Sequence, residues 1–569
     1  MSFADLGISF DAYGIGTAIL RHKLRVPENQ RAYAWRKEHV LQLFEDLTAA
    51  FRKPKSPYFL GTIVLTGNDA DRLDVTDGQQ RLATVSILIA AIRDYLYPRG
   101  EQGIKTAQKY TSDYLLQYDE FENEDVPKFI LGIDDNDFFV QQILSLPDSP
   151  LRKSGGKLAK SNERLAEAQN IAKEHVGKII SALPEKDRIG VLLDWISFLQ
   201  SRVVVIVITA PEDVDAYKMF ETLNDRGLKA SQIDILKNYL FSEAKGKKKE
   251  IQPRWSAMVS KIEDYDDDLL LDYVRHFWIS KKGHTKASDL ADGFKKNITG
   301  EKQAADIVAE LENTASDYVA LLQALDHPGL AALGADTRAA IYTITGLFGI
   351  EQIRPLMLAV LKNFSTTEAR LAYVKFVSWS VRYLVVGGAG GGTLEKNYGE
   401  LAFAVTGGSF QTAKQLADKM NGVVPNDIEF QRAFETNTVS KSVLARYYLR
   451  SMEKITNGED HPYLGEFERA ESKINLEHIM PETASQAWGV PQELVDANYK
   501  RLGNLCLLIP KANVKIGNSK YPEKVPIYKD STFTTTQQVA DYSIKEWGVE
   551  QIDKRQSALA KLAPKIWKL

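Results

Sequence analysis

The sequence predicts a multidomain α+β protein. A mixed α/β domain is expected over residues 1–245, a largely helical linker domain over 246–460, and a small C-terminal ββα domain over 461–569. Three observations carry this reading. At 569 residues the chain is too long for a single hydrophobic core. Strand-like runs gather in roughly the first 210 residues, whereas Glu212 to Asn457 reads as helix after helix. With 44% hydrophobic and 26% charged residues, there is ample apolar material for several cores.

The elements follow in order. Glu38 to Phe51 has helical periodicity, and Tyr58–Thr66 and Arg72–Val75 read as strands separated by the turn Gly67-Asn68-Asp69-Ala70. After Asp77-Gly78 comes a helix with Leu82, Val85, Leu88, Ile89 and Ile92 on one stripe. Helical segments are expected from there to about 198. The β-branched run Val203–Thr209 then predicts a buried strand rejoining the first sheet. Ser231 and Asp234 have the spacing of a helix start before Ile235 and Leu236. The glycine-rich run 387–392 lacks the Gly-Lys-Ser/Thr of a phosphate loop and is expected to be a flexible loop or hinge. Pro462 to about Lys473 reads as the entry to the C-terminal domain, and no repeat of 20–50 residues is visible.

Several classes are excluded at once. The single cysteine, Cys506, leaves no internal disulfide or Cys-rich metal site and fits a reducing cytoplasm. The opening Met1-Ser2-Phe3-Ala4-Asp5 has no basic segment leading into an apolar one, so no secretory leader is expected. No apolar run is long enough to span a membrane. Net charge is −3, yet residues 500–569 hold 13 Lys and Arg against 6 Asp and Glu, a local +7 that leaves −10 elsewhere. Such a basic end suits a phosphate-rich partner, although charge runs are usually just solvated faces.

That basic end also carries the most informative motif. Ile474-Asn475-Leu476-Glu477-His478-Ile479-Met480-Pro481 is followed by Gly503-Asn504-Leu505 and then Asn513. An acid–His pair, an Asn-Leu and a second Asn nine positions later is the spacing of a ββα-metal (HNH) nuclease site. Phosphodiester hydrolysis needs a base matched to neutral pH, a job for His478. It also needs a divalent cation held by few protein ligands. Glu477 and Asn513 offer the oxygen atoms that suit Mg2+ or Mn2+. Asn504, the second candidate catalytic residue, is expected to brace the loop carrying His478. Taken alone, Leu-Glu-His-Ile could be any strand edge; the combined spacing is what carries information. With no CxxC pairs beside it, this domain must be held by apolar packing from Leu502, Leu505, Leu507, Leu508 and Trp488.

Three N-terminal segments are dense in polar groups. They are Val26-Pro27-Glu28-Asn29-Gln30-Arg31-Ala32-Tyr33-Ala34-Trp35, Asp74-Val75-Thr76-Asp77-Gly78-Gln79-Gln80-Arg81, and Phe220 to Gly227 with Asn224 and Arg226, continuing to Lys237 and Asn238. In the second, a strand turns at Asp77-Gly78 into a helix, so free backbone N–H groups and the positive dipole end make an anion site. Gln79, Gln80 and Arg81 add fork-shaped donors. Equally open is that Asp77 caps the helix while Gln79 and Arg81 are solvated. Tyr33 and Trp35 could stack on an extruded base or pack in the core.

Together these motifs resemble the GmrSD-type modification-dependent restriction endonucleases, over about residues 10 to 535. Pro-x-x-Gln-Arg-x-Tyr-x-Trp, Asp-Gly-Gln-Gln-Arg and Phe-Glu-x-x-Asn-x-Arg-Gly are similar to the ParB/sulfiredoxin-like N-terminal domain of that family, and the Glu477-His478 region to its HNH domain. The resemblance implies a nucleotide-regulated nuclease of bacterial anti-phage defence, cutting or nicking double-stranded DNA. The mark would be phosphorothioate, as in some relatives, or a modified cytosine. It further implies a nucleoside triphosphate (GTP, ATP or other) at Asp77, Gly78, Gln79, Gln80 and Arg81, with Gln30, Arg31, Asn224 and Arg226 nearby, and an associated NTPase activity. No membrane partner is expected, and a homo-oligomer is left open. One departure is Glu477, where many HNH nucleases use Asp or His. The alternative is an NTP-gated DNA-binding module with an inactive nuclease site that blocks phage DNA by occupancy.

Overall fold

The structure, a computed structural model, describes residues 8–27, 30, 32–53, 56–67, 72–120, 123–153, 159–211, 232–266, 268–387, 391–457, 474–483 and 488–569. It forms two compact units, one of Met1–Leu271 with Ala287–Glu310 and the other of Asp272–Lys286 with Leu311–Leu569. Arg31, Asn224 and Arg226, the turn at 68–70, Ser231 and the stretch 462–473 lie outside the described residues.

The first unit is built on strands β1 (Ser9–Gly14), β2 (Leu24–Arg25), β3 (Tyr58–Thr66), β4 (Leu73–Asp77), β5 (Leu116–Asp119), β6 (Glu124–Pro127), β7 (Phe129–Ile130) and β8 (Val203–Ala210). Six of them form one mixed sheet in the order β1-β8-β3-β4-β2-β7. As expected, β8 rejoins the first sheet, antiparallel to β1 and parallel to β3. Its burial alternates at first: Val203, Val205 and Val207 enter the main core while Ile206 is exposed. Helices cover that inner face, and strand side chains point alternately to the two faces.

The helix Gln79–Leu96 is the hub of this core. Fifteen of its 18 residues are buried, so the expected stripe becomes burial on almost every side. Ala83, Ser86, Ala90 and Ala91 fill the positions between the stripe residues, and their small size lets neighbouring elements approach closely. One expectation fails between this helix and residue 198. There the chain forms the hairpin β5–β6, and β7 pairs with β2, placing Phe129 opposite Leu24. These strands are two to four residues long and polar in part, so pairing decides them rather than a periodic signal.

In the second unit, β9 (Asn475–His478) and β10 (Leu505–Leu508) pair antiparallel with His478 opposite Leu505 and Glu477 opposite Cys506. The helix Pro510–Ile516 follows directly, giving a β–β–α order. Leu502, Leu505, Leu507 and Leu508 are all buried, and Trp488 packs half-buried against the cluster that includes Leu508, Cys506 and Ile479. Upstream, the helix Thr366–Val386 ends at Gly387 with a left-handed φ of 67°, and a new helix begins at Gly391. Among the described residues, no helix is long and apolar enough to cross a membrane.

Candidate active site

The ββα element is held by two buried polar side chains, Arg555 and Asn504. Arg555, buried on the helix Val549–Ile566, donates to the carbonyls of Leu502, Gly503 and Leu505 and so pins the entry to β10. Asn504 is fully buried and uses its whole carboxamide. Its Oδ1 accepts from the Met480 N–H at 2.9 Å and Trp547 Nε1 at 3.1 Å, while Nδ2 donates to the carbonyls of Met480 and Tyr499. Its backbone carbonyl accepts from Ile479. Asn504 therefore clamps the loop that leaves His478.

His478 ends β9 and is half-buried. Its ring lies 5.9 Å from that of Tyr499, and no described residue hydrogen-bonds it. Burial holds its pKa below the ordinary value, the Lys524 and Lys500 charges push the same way, and Glu482 opposes them. A neutral imidazole with open nitrogens at neutral pH is what a general base requires. On the helix after β10, Asn513 leaves Oδ1 buried and without a hydrogen-bond partner. An orphaned buried oxygen is costly, and a cation would satisfy it.

Glu477 is less open. It is 7% exposed, and its Oε1 accepts from Lys524 Nζ at 2.7 Å and from the Tyr528 hydroxyl at 3.2 Å. Burial raises its pKa, while Lys524, Tyr528 and the His478 backbone N–H act to lower it. Among the described residues, no group of three or more His, Cys, Asp or Glu could hold a metal. What is present is one carboxylate and one orphaned amide oxygen, a sparse set that fits a hydrated hard cation and no tightly caged one.

Lys524 and Tyr528 escaped the motif reading, and a signal for them existed. Tyr521, Lys524, Val525 and Tyr528 share the buried face of the helix Tyr521–Lys529. A lysine on an apolar helical stripe is rare unless paired.

In the first unit, Gly78 caps the hub helix with φ 94°, and a Cβ there would lie 2.9 Å from Ile63 Cγ1. The N-cap is a glycine, which has no side chain to offer the first-turn N–H groups, and such a helix start suits an anion. The expected fork of donors is less free. Gln80 is buried, accepting from the Ala34 and Trp35 N–H groups and donating to the Ala32 carbonyl. Arg81 pairs with Asp77 at 3.1 Å and lies over Gly61 (φ 125°), where any Cβ would meet its guanidinium. Gln79 is buried with Oε1 unpaired.

The first and third segments meet in part, since Lys237 Nζ donates to the Gln30 carbonyl at 2.6 Å. Tyr33 is a core residue whose hydroxyl meets Thr84 at 2.8 Å, and Trp35 is half-buried with its ring stacked on His39. A separate cavity of about 650 Å³, walled by Phe44, Phe51, His175 and Trp195, contains none of the motif residues.

Two family models match the chain. The GmrSD restriction endonuclease N-terminal domain covers residues 13–241, and the GmrSD restriction endonucleases C-terminal domain covers residues 424–562. No curated protein matches it.

Proposed function

Since the chain belongs to the GmrSD restriction endonucleases, modification-dependent enzymes that act on DNA, we propose that its ββα element hydrolyses the phosphodiester and that its N-terminal unit binds a nucleoside triphosphate and senses the mark. The observation that carries the hydrolytic half is the pairing of an unengaged His478 ring with a buried, partnerless Asn513 Oδ1 in one small element.

In this reading His478 takes the proton from the attacking water, helped by a ring kept neutral through burial. Asn504 holds the loop so that the ring keeps its aim. Asn513 Oδ1 and Glu477 would hold Mg2+ or Mn2+, which supplies stabilisation of charge developing on the phosphate. The glycine-capped helix start at Gly78 supports the nucleotide site, with Arg81 as a cationic side chain in the same helix's first turn. Gln80 then acts indirectly, by holding the Ala32–Trp35 segment. Arg81→Ala is expected to lose nucleotide turnover first; unchanged hydrolysis would move the site elsewhere.

A second reading is favoured by the closed Glu477–Lys524 pair: an NTP-gated module that blocks DNA by occupancy without cutting it. One experiment separates the two. A single plasmid is prepared unmodified, phosphorothioated, and hydroxymethylated or glucosylated, then incubated with the protein, Mg2+ and an NTP mixture. Nicking confined to one modified form supports the sensing nuclease and names its mark. Equal nicking of all forms discards the sensor, and binding without nicking supports occupancy.

A further inference from the structure

We infer that Lys524 is a positioning residue of the hydrolytic site, fixing through one ammonium the carboxylate of Glu477 and the backbone of His478; this rests on the nuclease reading above. Its Nζ lies 2.7 Å from Glu477 Oε1 and 3.1 Å from the His478 carbonyl oxygen. Two consecutive residues, one assigned to the cation and one to the proton, are thus tied to a single atom. Rotation of either residue breaks a bond. The Tyr528 hydroxyl, 3.2 Å from the same Oε1, doubles the hold on that oxygen. Both side-chain bonds fall on Oε1, and no described side chain reaches Oε2. The pair therefore selects which oxygen Glu477 can present.

The packing argues that this arrangement is not there for stability. Lys524 is 0% exposed, with Nζ 5.7 Å from the centre of the Trp488 ring. It sits between Tyr521, Val525 and Tyr528, where a hydrophobic side chain would pack without dehydrating a charge. Replacing a buried ion pair by apolar residues of similar volume is often neutral or stabilising. A buried lysine retained beside the acid and base of a hydrolytic site is explained by geometry: carboxylates that hold metal need partners that fix their orientation.

The test uses the full chain with Lys524→Met, which keeps the length of the side chain and removes the ammonium, and Lys524→Arg, which restores a donor. Mn2+ binding to the DNA-free protein is measured by paramagnetic resonance, beside single-turnover nicking at saturating Mn2+ and thermal unfolding. Lys524→Met leaves the Glu477 carboxylate buried without its cation, so it is expected to fold with a lowered melting temperature, to bind Mn2+ about 10- to 100-fold more weakly, and to nick more slowly by a similar factor even when saturated. Lys524→Arg should recover part of both. Wild-type Mn2+ affinity in a folded Lys524→Met chain overturns the inference, and so does tighter binding, which would make the ammonium a competitor of the metal. If Lys524→Met fails to fold, Tyr528→Phe removes only the second bond to Oε1. A weaker Mn2+ affinity there supports the inference, and an unchanged one overturns it. A wild-type chain that neither binds Mn2+ nor nicks fails the nuclease reading first, and this inference with it.

Discussion

The turn at Gly78 and the ββα element at His478 are both crowded with polar motif residues, and both use one carboxamide as a clamp. Gln80 holds Ala32, Ala34 and Trp35; Asn504 holds Met480, Tyr499 and Trp547. They differ in what is left over. At the first, Arg81 lies on Asp77 and what remains is backbone N–H, with the Gln79 Oε1 unpaired. At the second, a whole imidazole and the Asn513 Oδ1 stay unengaged. Motif residues thus divide into those that build the frame and those kept for chemistry. Only hydrogen-bond accounting tells the two apart.

The sharpest break of that comparison is His478→Ala. Nicking should fall by about 10² to 10⁴, the usual contribution of a positioned base, while DNA and nucleotide binding stay largely intact. Retained nicking would move the catalytic group elsewhere. The clamps come next. Asn504→Ala strands the Met480 N–H and carbonyl and the Trp547 Nε1 in a buried site. A loss on the order of 1–3 kcal/mol per stranded group is expected, read as a lower denaturant midpoint. Gln80→Ala should cost less, because Gln80 is 7% exposed where Asn504 is fully buried, and water can reach some of its bonds. Equal losses would mean that the two clamps do not differ in burial as described.

Much of this was legible in the sequence because it is written in local patterns. The helix at Glu38–Phe51, the strand Tyr58–Thr66 and the return of Val203–Thr209 to the sheet all follow from periodicity or β-branched runs. The ββα order was legible because Glu477 and His478 sit on β9, Asn504 on the turn just before β10 and Asn513 on the next helix, each at a fixed spacing. What escaped is non-local. The strands β5 to β7 exist through pairing, and the partner of Glu477 arrives from 47 residues away. That Gln80 faces a loop rather than a ligand depends on how residues 32–35 fold back, which no spacing records.

A pH profile probes the second site alone. Burial, with the Lys524 and Lys500 charges, holds the His478 pKa below 6.5, and Glu482 pulls it upward. The neutral ring is the active base, so nicking rises with pH and its acid limb should have a midpoint below 6.5. The two neighbours give opposite signs. Lys500→Gln removes a lowering charge and should move the limb up, and Glu482→Gln removes a raising charge and should move it down. A limb unmoved by both, measured as kcat/KM against pH, would detach the titration from His478.

The smallest expected effect concerns how the site meets its substrate. Lys511, Val514 and Lys515 lie three and four positions apart on the helix that carries Asn513, so they share one face, and all three are exposed, Val514 to 83%. Neither lysine forms an ion pair among the described residues, in contrast to Arg81, which already lies on Asp77. Unpaired cations beside the proposed site are free to meet phosphates and release their counterions. If each meets one phosphate, the double change Lys511→Gln with Lys515→Gln should flatten the slope of log K against log salt by about 1.8, at about 0.9 per contact. Arg81→Ala should leave that slope as it was, because its guanidinium is engaged within its own unit. Fluorescence-anisotropy titrations of one duplex across a salt series read both. A slope changed by Arg81→Ala and untouched by the lysines would reverse the assignment of the two sites, placing the phosphate backbone at Gly78 rather than beside His478.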